Sequence, residues 1–499
     1  MELYSASAAE LATAYRKGIT DPIEVTRELY ARIAAHNVDV GAFISLAQPR
    51  ADASAAAARE AIAAGDRRPL LGIACPIKDL REVAGEPFIA GSRILADNVA
   101  TRTDGPAAQL AAAGTVMLGK TTTPEFGMVG YTEPAIGPKA RTPWDVHRTA
   151  GGSSGGAGAA LAAGLAPLAH GNDAGGSIRI PAACCNVVGL KPARGRISVG
   201  PYLQDGPGLV TDGVLTRTIT DAALALDAIS GQLPGDPYLP PAPASSEGSW
   251  AADVDATSFA ALLQASERAD QLTSYHGRPV RIGLLSEPLN VAELEFHPEA
   301  LAASYRAARL LEAAGAEIID VPRAISAKEW LSFMPLWQTG AASLPVPPAA
   351  EGELMAITRW LRDAGTQVSA LTYVQAANAV QQLARDIATR WAHVDVVLSP
   401  TLSGPPRYPD ELQLEDPAAD FEAQKVFSPY TSVWNITGAP AISVPLHRAV
   451  VTGRDGREVE LPFGVHLGAV TTCSEALLLR LARALELAAP WPHLAPNYR

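Results

Sequence analysis

The chain has 499 residues, 48% of them apolar, with a formal net charge of −12 and four cysteines. That length and apolar share are ample for the buried core of a large α/β unit, while the acidic balance argues against a nucleic-acid partner, because phosphate binding rests on basic surface. No run approaches ~18 uninterrupted apolar residues, and Met1-Glu2-Leu3-Tyr4 lacks a basic region followed by an apolar one, so a soluble, cytoplasmic protein without a membrane span is expected.

Ser7-Ala8-Ala9-Glu10 reads as a capping box opening a helix that ends near Gly18, and Asp21-Pro22-Ile23-Glu24 opens a second with proline at its first position. Ala42 to Leu46 reads as a strand, and an Ala-rich helix runs from about Ala51 to Gly65. Leu70 to Lys78 is an apolar run with a lysine at its end. Such a lysine either snorkels from a strand end or, once desolvated, loses its proton and acts as a base. Asp79 reads as a strand-end partner. Asp104 to Gly114 reads as a helix and Thr115 to Gly119 as the next strand, a βαβ step, followed by a glycine-containing loop with Gly127, Met128 and Val129.

The stretch from Ala150 to Ala182 reads as a catalytic loop and not as a fold element. Gly151, Gly152, Gly155 and Gly156 bracket Ser153 and Ser154, and Gly175 and Gly176 lead into Ser177. Acyl transfer needs a hydroxyl nucleophile, a proton relay and backbone N–H groups aimed at a developing oxyanion. Three other readings compete. A phosphate-cradling loop would need G-x-x-x-x-G-K-[ST], and no lysine follows either cluster. Gly151 to Gly155 also fits G-x-S-x-G, whose partners could be Asp395 and His466. A low-complexity linker does not suit Ile178-Arg179-Ile180-Pro181, which reads as a strand start.

Downstream, Gly189 to Pro192 and Arg194 to Val199 read as a strand and turn, and Thr216 to Ser230 as a helix capped near Thr220-Asp221. A Pro/Ala/Ser-rich surface excursion follows from about Gly231 to Gly277. Val280 to Leu285, Pro298 to Ala314 and Glu317 to Val321 form a βαβ unit. Ala327 to Arg390 is mostly helical and carries Trp330, Phe333, Met334, Trp337, Trp360 and Tyr373. Aromatic stripes at helical spacing are core by default, yet part of this set suits the wall of an apolar cleft. Val394 to Leu398 and Ala441 to Val444 complete the sheet, and Glu475 to Ala488 is the last helix. Cys75, Cys184, Cys185 and Cys473 show no C-x-x-C spacing and read as buried thiols, with no zinc site indicated.

From Gly151 to Ala182 the sequence resembles the amidase signature family, including Asp173, Ser177, Arg179 and Pro181. Pro76-Ile77-Lys78-Asp79 resembles the family's lysine motif, and Gly189-Leu190-Lys191-Pro192, Gly438-Ala439-Pro440-Ala441 and Leu461-Pro462-Phe463-Gly464-Val465 follow in the expected order. The resemblance implies an α/β amidase signature fold, a central twisted mixed sheet with helices on both faces. It implies one unit over residues 1–499, with a catalytic core at about 66–230 and 394–499 and variable, substrate-side segments at about 231–279 and 325–393. It implies a triad of Lys78 as base, Ser153 as bridge and Ser177 as nucleophile, with a cis peptide at Gly152–Ser153.

The same resemblance makes the N–H groups of Ala174, Gly175, Gly176 and Ser177 the oxyanion hole, with Asp173 and Arg179 supporting the turn. Ser154 competes with Ser153 for the bridging role, and Gly127, Met128 and Val129 fall where the family lines the acyl side of its cleft. His170 reads as a structural hydrogen-bonding residue. His466 stands where glutamine is common, and Ala174 where Thr, Ile or Gly is. The sequence around Ala169 to Ala174 is most similar to the branch of nylon-oligomer hydrolases and urethane-cleaving amidases. A cofactor-free hydrolase of small, fairly apolar amides or carbamates is expected, as a monomer or homodimer. A glutaminase subunit of a tRNA-dependent amidotransferase is the alternative, and a non-catalytic binding module a third reading that the intact triad disfavours.

Overall fold

A computed structural model describes residues 2–204, 207–239, 263, 274–275 and 277–499. Its main sheet has eight strands in the order Glu317–Asp320, Arg281–Leu284, Val396–Pro400, Glu458–Ala469, Ala441–Thr452, Val188–Lys191, Thr211–Thr216, Leu168–Asp173. The first three are parallel to one another and the remaining pairings are antiparallel, which makes the sheet mixed. Its central strands are buried along most of their length, as in a sheet covered on both faces.

The front end forms as its caps dictate. Ser7 and Glu10 close a capping box at the helix Ala8–Arg16, and Asp21 accepts the N–H groups of Ile23 and Glu24 at the start of Pro22–Val40. The strand Phe43–Leu46 and the Ala-rich helix Gln48–Ala63 follow. The βαβ unit of Arg281–Leu284, Pro298–Ala313 and Glu317–Asp320 lies in the main sheet, and Glu475–Ala488 is the last long helix. Among the described residues no helix is long and apolar enough to cross a membrane.

The βαβ step read from the sequence forms, since Ile77–Lys78 pairs in parallel with Gly119–Thr121, which in turn pairs antiparallel with Phe43–Leu46 in a three-stranded sheet separate from the main one. Two readings differ from the structure. The stretch read as a loop contains the buried helix Gly155–Ala162 and the edge strand Leu168–Asp173. Arg179–Cys185, read as a strand start, is a helix, because its alternating Ile-Arg-Ile is followed by Pro-Ala-Ala-Cys-Cys packed on all sides. Arg194 to Val199 forms a turn, as read from the sequence, with a single bridge at Ile197. Most of the Pro/Ala/Ser-rich excursion lies outside the described residues.

Candidate active site

Lys78 is fully buried at the end of its short strand, and its Nζ lies 2.7 Å from Ser153 Oγ and 2.6 Å from Asn172 Oδ1. Burial holds its pKa well below the usual lysine range, aided by the Arg81 cation and opposed by Asp173 and Asp212. Asp212 is itself clamped by Arg81, at 2.6 and 2.8 Å, and takes a third contact from His170 Nε2 at 3.0 Å. His170 Nδ1 accepts the backbone N–H of Lys78 at 3.3 Å, so its proton sits on Nε2 and the ring is neutral, as burial also favours. His170 therefore has the structural role read from the sequence. Asp79 meets Lys120 at 2.6 Å, both fully buried, and accepts the N–H groups of Ile89 and Ala90.

Two serines separate cleanly. Ser153 faces Lys78 across the Gly152–Ser153 peptide, which is cis. The Ser154 hydroxyl donates to the carbonyl of Asn172 at 3.3 Å, and its N–H donates to the carbonyl of Ser177 at 3.1 Å. Gly152 is required where it stands, since a Cβ there would lie 2.5 Å from the Tyr131 carbonyl.

The turn from Asp173 to Ser177 is organised by the carboxylate that begins it. Asp173 accepts the N–H groups of Gly176, at 2.8 Å, and Ile178, at 3.1 Å, and a bidentate contact from Arg179 at 2.8 and 2.9 Å. Arg179 and the other cations around it hold Asp173 far below the usual carboxylate range despite complete burial. Because the Gly176 N–H is engaged by Asp173, the turn's free donors are those of Ala174, Gly175 and Ser177, which have no backbone or side-chain acceptor among the described residues.

Residues more than two hundred positions away complete this frame. Thr431 Oγ1 donates to the carbonyl of Gly175 at 2.6 Å, and Asn435 Nδ2 donates to both the carbonyl and the carboxylate of Asp173. Arg179 also donates to the Thr431 carbonyl, to Asn435 Oδ1 and to His466 Nε2, at 2.7, 2.8 and 3.1 Å. His466 is thus a neutral acceptor for Arg179, packed edge-on against Trp434. It makes no contact with Asp395, which binds Arg278 instead, so the elbow reading of Asp395 and His466 has no structural basis. A Cβ on Gly176, whose φ is +137°, would lie 2.3 Å from Thr431 Oγ1. Gly176→Ala is expected to lower kcat by about 10²-fold through displacement of this turn, on the scale of one lost oxyanion donor. Steady-state turnover of a chromogenic anilide checks it.

Ser177 is half-buried and lines an open cleft. Gly127, Met128, Val129, Ala174 and Gly175 line the same cleft. Its far wall is aromatic: Trp330, Phe333 and Trp337 from the helical segment, with Phe421 and Phe427 from the helix Pro417–Phe427. Trp360 packs behind Phe421, and Met334 and Tyr373 join the core, so half of the predicted stripe reaches the cleft. Tyr131 and Gln424 both donate to the buried Asp420, and Gln424 accepts the N–H of Gly130, which ties the 127–131 loop to that helix. Among the described residues no group of three His, Cys, Asp or Glu side chains could hold a metal ion.

Sequence reasoning did not single out Asn172, Asp212, Thr431 and Asn435. The only signal for Asn172 was its place beside Asp173. The others meet the site through the tertiary fold alone.

The chain matches the Amidase family over residues 24–479. It is 33% identical over 410 residues to the 6-aminohexanoate-cyclic-dimer hydrolase of Paenarthrobacter ureafaciens, covering 78% of this chain and 76% of that one. A solved structure of 6-aminohexanoate cyclic dimer hydrolase complexed with substrate superposes with a TM-score of 0.84 at 28% identity, over 100% of both chains. A bacterial aryl acylamidase of the amidase signature family shares the fold, with a TM-score of 0.80 at 24% identity over 100% of this chain and 98% of that one. The chain belongs to the amidase signature family and is an amide-hydrolysing enzyme.

Proposed function

We propose that this enzyme cleaves the C–N bond of small, fairly apolar amides or carbamates through an acyl-enzyme on Ser177, with Ser153 as bridge and Lys78 as base. The observation that carries the reading is the buried Lys78 Nζ at 2.7 Å from Ser153 Oγ, beside a cleft that Ser177 shares with an aromatic wall. Ser177 attacks the carbonyl and gives its proton to Ser153, which gives its own to the amine of Lys78. The tetrahedral oxyanion takes hydrogen bonds from the N–H groups of Ala174, Gly175 and Ser177, each effective donor being worth about 3 kcal/mol. Ser153 then protonates the leaving nitrogen and recovers a proton from Lys78, since an amine anion is a very poor leaving group. Water enters by the reverse relay and releases the acid. A carbamate carbonyl passes through the same acylation.

The glutaminase alternative is disfavoured by the cleft. Among the described residues its lining contains one cation, Lys425, and no carboxylate to receive the α-ammonium of glutamine. The test is hydrolysis by the purified chain of an anilide, an N-aryl carbamate, a primary amide and glutamine, with Ser177→Ala as the blank. Turnover of the anilide or carbamate that vanishes in the blank is the expected result. Turnover confined to glutamine, or persisting in the blank, overturns the proposal.

A further inference from the structure

Resting on the reading of Lys78 as a base, we infer that Asn172 is a positioning residue whose two oxygens orient the amine so that its lone pair faces Ser153. Among the described residues, Lys78 Nζ has three hydrogen-bonding neighbours in a fully buried site: Asn172 Oδ1 at 2.6 Å, the Asn172 carbonyl at 3.4 Å and Ser153 Oγ at 2.7 Å. A neutral amine has two N–H groups and one lone pair. Both oxygens of Asn172 can only accept, so they take the two N–H groups. The lone pair is then left for the third neighbour, and the hydroxyl of Ser153 must donate to it. The direction of the relay follows from this count: a proton can pass from Ser153 to Lys78, and Ser153 Oγ is free to receive one from Ser177. On transfer the ammonium gains a third N–H, directed back at Ser153, which is the proton later returned for the leaving nitrogen.

The neutrality of the amide matters as much as its position. A carboxylate at the same distance would pair with the ammonium and hold the proton on Lys78. The charges that face Nζ are Arg81, which opposes protonation, and Asp173 and Asp212, which favour it, with His170 neutral beside them. Asp173 and Asp212 are each clamped by an arginine, at 2.8 and 2.6 Å. Asn172 thus supplies the acceptors that Lys78 requires in a form that adds no negative charge. A hydroxyl at position 172 would be shorter and could itself donate, so it would not fix the amine in the same way.

The test is the pH dependence of Ser177 labelling by a fluorophosphonate, which reads nucleophile activation without a substrate, measured on Asn172→Asp, Asn172→Leu, Lys78→Ala and the parent chain. Asn172→Asp is expected to move the acid limb of the labelling rate up by two pH units or more, with about 10²-fold loss at pH 7 that is recovered in alkali. Asn172→Leu is expected to lose at least 30-fold at every pH. Far-ultraviolet circular dichroism shows that each variant is folded, and Asn172→Gln replaces Asn172→Asp if the latter is not, with partial rescue relative to Asn172→Leu expected. An acid limb in Asn172→Asp that coincides with the parent's, or a uniform loss without a shift, overturns the inference while Lys78→Ala still abolishes labelling. Labelling of Lys78→Ala at the parent rate overturns the base assignment itself, and the inference with it.

Discussion

Lys78→Met is expected to cut kcat/KM for an anilide by about 10³- to 10⁴-fold, the upper part of the range for loss of a positioned general base. Methionine matches the length of the lysine stem and suits a fully buried site, so the effect isolates the amine from the packing. The sign of the pH dependence follows from the depressed pKa of Lys78. The base is the unprotonated amine, so kcat/KM of the parent rises with pH through that pKa and levels off below the ordinary lysine range. The variant has no such limb. Rates measured from pH 5 to 10 check both statements, and retention of activity within tenfold at neutral pH overturns the role of Lys78.

Asp173→Asn is expected to destabilise the fold by about 3–5 kcal/mol, because it leaves the guanidinium of Arg179 in a fully buried site without its countercharge. The hydrogen bonds to Asn435, Thr431 and His466 remain, but none of those partners is anionic. The same change leaves one acceptor oxygen in place of two, so the N–H of either Gly176 or Ile178 loses its partner and the turn with the proposed oxyanion donors loosens, and kcat falls with stability. For the linkage, the folded pKa of Asp173 lies below its ordinary value. The pair therefore stabilises the parent fully above the ordinary aspartate pKa, and this contribution declines as pH falls from there through the folded value. The variant lacks it throughout, so the stability gap narrows in acid. Urea unfolding at pH 7 and pH 3 measures the gap.

What the sequence made legible was local. The glycine–serine spacing picks out Ser153 and Ser177, and an apolar run ending in Lys78 marks a buried lysine, because each of these signals is local. Leu168–Asp173 was hidden because Leu-Ala-His-Gly-Asn-Asp has neither β-branched residues nor alternation, yet all six positions are buried. Glu458–Ala469 was also missed. Pro462 and Gly464 interrupt a run that otherwise alternates, and Pro462 is tolerated beside a register shift in its partner strand. Asp212, Thr431 and Asn435 carry no local mark at all. Their chemistry is that of ordinary polar residues until the sheet brings them to Asp173, Arg179 and His170.

The frame around Asp173 also has a bearing on when, during synthesis, the enzyme acquires its activity. The proposed nucleophile Ser177 and the N–H groups beside it lie within six residues, whereas the groups that hold the turn, Thr431, Asn435 and His466, emerge from the ribosome more than 250 residues later. Closing so long a stretch of chain is slow compared with forming local turns. A growing chain thus displays Ser177 well before the turn around it is held, and on the proposed mechanism its hydrolytic power arrives only when residues 431–466 have docked.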